Sequence, residues 1–259
     1  MNYNKLLDQK NVVITCGETA VGVAIARLFA EHGANLAIGS KNASVAGANL
    51  FLPCDLADAR SVESFCAEVS RRFPVVHALI NNPWTAYVKG FEDSRDADDD
   101  LILQVYQHSI VQTLRAFWPA MLKNGNCSVV NISSRGANRP EPGAVMHATA
   151  NGAIGGMTRV PAVEGGHREV RVNEIVCGNE TYRNEVGGYK PPNMAKNDYR
   201  VYGRPEYVSI IQADIIDDSR RVEIESIAKA ALFLASDMAS YVSGISLFVS
   251  NGRPQVVPT

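Results

Sequence analysis

The chain has 259 residues, with 25 Lys and Arg against 27 Asp and Glu, for a formal net charge of −2. It is 46% hydrophobic and 20% charged, the balance of a globular protein able to bury one large core without staples. That balance gives no field for nucleic acid or an anionic membrane surface, and no apolar run reaches the roughly 18–20 residues that span a bilayer. Asp8, Gln9 and Lys10 interrupt the stretch that a secretory leader needs apolar. Five cysteines (Cys16, Cys54, Cys66, Cys127, Cys177) without CxxC spacing imply reduced thiols and a cytoplasmic protein rather than a disulfide framework or a zinc site.

Apolar, β-branched runs alternate with helical periodicity from end to end. Asn11–Thr15 predicts a buried strand, 20–32 a helix ended by Gly33, and Leu36–Ile38 a second strand. Further strands are predicted at Leu50–Leu52, Val76–Ile80, Ser128–Ile132, Val170–Val176 and Ile245–Val249, with helices near 60–72 and 100–123. This order predicts an α/β fold, a doubly wound parallel sheet with right-handed crossovers, as a single domain over 1–259. Only about ten residues, Asn42 to Phe51, join the second and third strands, too few for a full crossover helix. Residues 179–218, rich in Tyr, Asn, Gly and Pro, are read as a lid over a ligand. The acids between Glu92 and Asp100 are read as a solvated helix N-terminus.

Several segments together resemble the short-chain dehydrogenase/reductase family: Val13-Ile14-Thr15 before a turn, Cys54-Asp55-Leu56, Leu79-Ile80-Asn81-Asn82, Val130-Asn131-Ile132-Ser133-Ser134 and Arg171-Val172-Asn173. Ala228 to Asp237 and Tyr241-Val242-Ser243-Gly244 extend the likeness almost to the C-terminus. The resemblance implies a Rossmann-like fold and an oxidoreductase linked to NADP or NAD that acts on a small carbonyl or alcohol.

The residues that would carry this function depart from the family pattern. Its first turn, Thr-Gly-x-x-x-Gly-x-Gly, is here Thr15-Cys16-Gly17-Glu18-Thr19-Ala20-Val21-Gly22, so one glycine remains in place. Thr15, Gly17 and Gly22 are the candidates for the pyrophosphate, with Gly17 expected to take the positive φ. Ser40 and Lys41 end the second strand where the adenosine ribose is read. No acid stands there, and Lys41 favours NADP over NAD. Asp55 matches the acid that meets adenine, and Asn81 and Gly178 are further cofactor-binding candidates. Trp84 replaces a family glycine and either lines the pocket or fills it.

Of the family's catalytic Ser, Tyr, Lys and Asn, only the serine stands, at Ser134. Alignment puts His147 at the tyrosine, Asn151 at the lysine and Tyr106 at the asparagine, with His108 two places later. An imidazole, with an ordinary pKa of about 6.5, can exchange protons near neutrality unaided. His147 is therefore the candidate acid/base, Ser134 the match to the serine that polarises the carbonyl, Asn151 a ribose contact and Tyr106 a phenol from the opposite side. No acid is placed to orient the imidazole; Glu141 is a candidate. His77 is read as a core histidine and His167 as a surface one.

Two alternatives stay open: a cofactor-independent, non-redox enzyme on the same fold, as halohydrin dehalogenases exemplify, or a catalytically inactive member. The helix after His147, with Gly152, Gly155, Gly156 and Pro161, is expected to be kinked at Pro161. The resemblance implies a homo-oligomer, dimer or tetramer, associating through it.

Overall fold

Two-faced burial organises the molecule. In the computed structural model, which describes residues 5–41, 48–85, 90–137, 143–178, 180–181 and 222–250, β1 (Asn11–Ile14) turns Val12 and Ile14 to one apolar layer and Val13 to the other. Side chains alternate along a strand, so a strand apolar at every position needs cover on both faces. α1 (Ala20–Glu31) follows, then β2 (Asn35–Ser40), β3 (Leu50–Pro53), α2 (Ala59–Arg72) and β4 (Ala78–Asn81). α3 (Asp96–Leu103) runs through a π-helical segment, Gln104–His108, into α4 (Ser109–Asn124). β5 (Cys127–Ser134), α5 (Val145–Gly166) and β6 (Val170–Cys177) come next. A two-residue pair, β7 (Glu180–Thr181) with β8 (Val222–Glu223), precedes α6 (Ile224–Ala235) and β9 (Ser246–Val249).

The main sheet has the order β3-β2-β1-β4-β5-β6-β9 and is parallel throughout. α1 and α6 cover one face with Phe29, Ile25, Ile227 and Leu234; α2, α4 and α5 cover the other with Phe65, Ile110, Phe117 and Ile154. The order reverses between β1 and β4. At such a point the crossovers leave in opposite directions and open a crevice beyond the strands' C-terminal ends.

Each predicted strand is present, shifted by one or two residues at its ends. Gly33 closes α1 with φ +86°, and a Cβ there would meet the Asp8 carboxylate oxygen at 2.9 Å. Of the 92–100 run, Glu92 and Asp93 lie in a short 3-10 turn before α3, while Asp96, Asp98 and Asp99 fall in its first turn. α5 continues as one 22-residue helix through Pro161. Only positions 41–49 lie between β2 and β3, as the short crossover required. The lid expected at 179–218 lies outside the described residues except for the backbone of β7, and Glu141 lies outside them too. All five cysteines are free and buried, and no helix among the described residues is long and apolar enough to cross a membrane.

Candidate functional site

The turn between β1 and α1 is built around one carbonyl. Cys16 takes φ +46°, a left-handed conformation that costs a residue with a Cβ roughly 1–2 kcal/mol. Its carbonyl oxygen accepts from the Thr19 N–H at 3.2 Å, the Thr19 hydroxyl at 3.0 Å and Asn82 Nδ2 at 3.1 Å, and these bonds offset the strain. The expectation that Gly17 supplies the positive φ is thereby corrected. Gly17 has an ordinary φ and donates its N–H to the Gly39 carbonyl at 3.0 Å, tying the turn to β2.

Thr15 and Gly22 behave as the turn requires. The Thr15 hydroxyl accepts from the Asn82 N–H at 3.0 Å, and Thr19 caps α1 by accepting from the Gly22 N–H at 3.0 Å. A Cβ on Gly22 would stand 2.5 Å from the Cys16 carbonyl oxygen and 2.8 Å from Gly17 Cα, so only glycine lets helix and turn close this far. The N–H groups of the first helical turn open at this end of the sheet, where an anion is stabilised by donors and dipole together. Burial pushes the Cys16 thiol far up, which leaves it a neutral packing group. The half-buried Trp84 gives its backbone N–H to that sulfur.

At the end of β2, Ser40 is buried and Lys41 is exposed. Lys41 Nζ lies 2.7 Å from Asp55 Oδ2, while Asp55 Oδ1 accepts from the Ala57 N–H at 3.0 Å. The Asp55 hydrogen bond and charge together raise the Lys41 ammonium above its ordinary value. Glu18 reaches this place from the turn, and its Oε1 accepts the Lys41 N–H at 3.3 Å. Nothing in the sequence marked Glu18, because the contact joins residues 23 positions apart.

Ser134 closes β5 and meets α5 through Asn151. Asn151 Oδ1 accepts the Ser134 N–H at 2.8 Å and its Nδ2 donates to the His147 carbonyl at 2.9 Å. The buried amide is thus engaged at both ends inside the protein and ties the end of β5 to the first turn of α5. His147, in the first turn of α5, and Ser134 converge over Gly136. A Cβ on Gly136 would lie 3.1 Å from His147 Nδ1 and 3.8 Å from Ser134 Oγ, so the space between the two groups stays open because Gly136 has no side chain. Burial alone holds the His147 imidazole below its ordinary pKa, so it is neutral at pH 7 and ready to accept a proton.

Tyr106 packs edge-on against this imidazole, with ring centroids 5.6 Å apart and planes at 86°. Its hydroxyl accepts from the Thr85 N–H at 3.2 Å and donates to the Thr85 carbonyl at 3.4 Å. The phenol therefore holds the chain after β4 and flanks His147. The π-helical segment turns Tyr106 inward and leaves His108 exposed beside Gln104.

Asn81 and Gly178 are both held by contacts within the main sheet. Asn81 is buried in a side-chain relay: its Nδ2 donates to Asn131 Oδ1 at 2.9 Å, its Oδ1 accepts from Thr113 at 2.8 Å, and Asn131 Nδ2 donates to Thr158 at 3.0 Å. Asn82, which the sequence did not single out, is the one knitted to the turn. Gly178 follows β6, one residue past the Cys177–Ser134 register pair. Its N–H donates to the Val249 carbonyl at 2.9 Å, and a Cβ would meet Ser250 Cα at 3.0 Å, so its tight side faces β9. The Arg171-Val172-Asn173 segment is structural, with Arg171 donating to the Leu234 carbonyl at the end of α6 and the Ser236 carbonyl just beyond it, and Asn173 holding the Val242 carbonyl. His77, expected in the core, is half-buried just before β4, where its Nδ1 accepts the Asn11 N–H at 3.0 Å.

A nicotinamide dinucleotide fits these groups on one observation, the buried Glu18 Oε2, which has no hydrogen-bond partner among the described residues, beside a helix start whose N–H groups suit an anion. The family profile described as short chain dehydrogenase matches residues 10–182. The chain is 30% identical over 254 residues to 2,5-dichloro-2,5-cyclohexadiene-1,4-diol dehydrogenase LinX of Sphingobium indicum, covering 94% of this chain and 95% of that one. It is 27% identical to D-threitol dehydrogenase of Mycolicibacterium smegmatis, covering 97% and 95% respectively. A solved short chain dehydrogenase/reductase family protein superposes with a TM-score of 0.76 at 26% identity, covering 95% of this chain and 98% of its own.

Proposed function

The chain belongs to the short-chain dehydrogenase/reductase family, and from that premise we propose that it is an oxidoreductase oxidising a small secondary alcohol, with His147 as general base. The observation that carries this reading is the convergence of Ser134 Oγ and the neutral His147 ring over Gly136. Two relatives named as dehydrogenases of hydroxylated small molecules support an alcohol as substrate.

When bound, the dinucleotide supplies the acceptor for the hydride that leaves the carbinol carbon. The chain's residues manage the proton. The Ser134 hydroxyl donates to the substrate oxygen and fixes it beside the imidazole. His147 takes the O–H proton as the C–O bond gains double-bond character and later releases it to solvent. Asn151 keeps this pair in register by tying β5 to the first turn of α5, and Tyr106 confines the ring from its edge. Thr15, Gly22 and the first turn of α1 would hold the pyrophosphate, and Gly178 would border the nicotinamide. Association of copies through α5 is part of this reading, supported by Val160 and Val163, 59% and 82% exposed there.

The test is a titration with NADH and NADPH read by protein fluorescence and melting temperature, followed by turnover on a panel of secondary alcohols. Binding of at least one nucleotide and turnover are expected. His147→Phe is expected to lower kcat/KM by about 10²–10⁴-fold with nucleotide binding retained. Full activity in His147→Phe would remove His147 as the base. Binding without turnover would favour an inactive member, and no binding of either nucleotide at millimolar concentration would end the redox reading.

A further inference from the structure

The adenosine end of the cleft holds a carboxylate that the sequence places in the wrong element. Glu18 belongs to the β1–α1 turn, yet its Oε1 accepts the backbone N–H of Lys41, the first residue beyond β2. The carboxylate therefore sits where a ribose would lie between the turn and the second strand. Its other oxygen, Oε2, is buried and has no hydrogen-bond partner among the described residues. A buried acceptor left unmatched is costly, and a donor arriving there is correspondingly favoured.

Among the described residues, the cation at this place is already engaged. Lys41 Nζ stands 2.7 Å from Asp55 Oδ2, and the hydrogen bond and charge of Asp55 strengthen its hold on the proton. The pair is partly exposed and weak by itself, so an anionic ligand can compete for the lysine. If a 2′-phosphate took Lys41, however, Asp55 and Glu18 would be left as two uncompensated carboxylates facing a dianion. A 2′-hydroxyl asks for none of this, since it donates to Oε2 and leaves the Lys41–Asp55 pair intact.

Resting on the reading that a dinucleotide binds here, we propose that Glu18 is the specificity-determining residue of the adenosine site. Its carboxylate accepts the ribose 2′-hydroxyl, turns away a 2′-phosphate, and makes this chain select NAD over NADP. This reverses the preference that Lys41 alone suggested.

Direct binding tests it without any turnover. Titration of the full chain with NADH and NADPH, followed by fluorescence, is expected to show NADH at least about tenfold tighter at low ionic strength. Glu18→Gln keeps the shape and one acceptor oxygen but removes the charge, and is expected to close most of that gap by strengthening NADPH. Lys41→Ala is expected to widen it, since Asp55 then faces the ligand unpaired. Competition by adenosine 5′-phosphate and adenosine 2′,5′-bisphosphate against NADH confines the readout to the adenosine end. Equal or tighter NADPH binding in the native chain would overturn the proposal. An unchanged ratio in Glu18→Gln, or a selective loss of NADPH in Lys41→Ala, would do so too. If neither nucleotide binds, the dinucleotide reading fails and this proposal falls with it, a result distinct from binding with the opposite preference.

Discussion

Gly22→Ala puts the geometry of the turn to a quantitative test. The new Cβ would stand 2.5 Å from the Cys16 carbonyl oxygen, and since ordinary contact begins at 3.4 Å, that oxygen must retreat by about 0.9 Å. Nothing flexible is available to yield, because Gly17 Cα and C, at 2.8 and 3.0 Å, are backbone too. The retreat strains the three hydrogen bonds that hold the carbonyl, each worth about 1 kcal/mol. Overpacking costs about 1–3 kcal/mol, and replacing a helical glycine returns about 0.5–1 kcal/mol. A net loss of about 2–3 kcal/mol lowers the melting temperature by about 4–12 °C for a chain of this size. Differential scanning fluorimetry measures it, with an NADH titration on the same sample expected to show weakened binding as the cradle opens. A melting temperature within a degree of the native protein, with NADH affinity unaltered, would show that the turn is not closed around Gly22 as described.

Asn81→Leu separates the buried relay from the cofactor. It leaves Asn131 Oδ1 without its donor and costs about 1–3 kcal/mol in urea-induced unfolding, while nucleotide affinity stays close to native; a selective loss of nucleotide binding would return Asn81 to the cleft. A pH series addresses the two depressed histidines. Burial lowers both His147 and His77, so the unfolded chain binds protons more readily than the folded one as pH drops past about 6.5. The stability they lend is complete above that pH and is lost as pH falls through their lower folded values, which acid-side melting curves will follow. Alcohol oxidation is expected to lose rate over the same interval, with its acid limb below pH 6.5 and absent in the residual activity of His147→Phe. An acid limb well above 6.5 would name another base.

The strand–helix alternation, the doubly wound parallel class it implies and the shortness of the β2–β3 link could all be read along the chain, because hydrophobic periodicity and connection length are local properties; the order of the strands in the sheet came only with the structure. Ser134, Gly22 and Thr15 were equally accessible, since each sits at a fixed distance from a recognisable strand end. His147 could be placed by counting, but its partners could not. Asn151 stands where a ribose contact was expected, and only the approach of α5 to the end of β5 shows its amide taken up by Ser134 and the His147 turn. Likewise Asn81 and Asn82 are adjacent and chemically identical. One closes β4 inside the sheet and the other, the first residue beyond the strand, lies against the turn. The positive φ at Cys16 depends on donors from Thr19 and, across the sheet, Asn82. The meeting of Glu18 with the end of β2 exists only once two parallel strands lie side by side. Composition and periodicity determined the scaffold; the charge, strain and protonation of its cleft were decided by contacts between residues far apart in the chain, whose energies no local stretch contains.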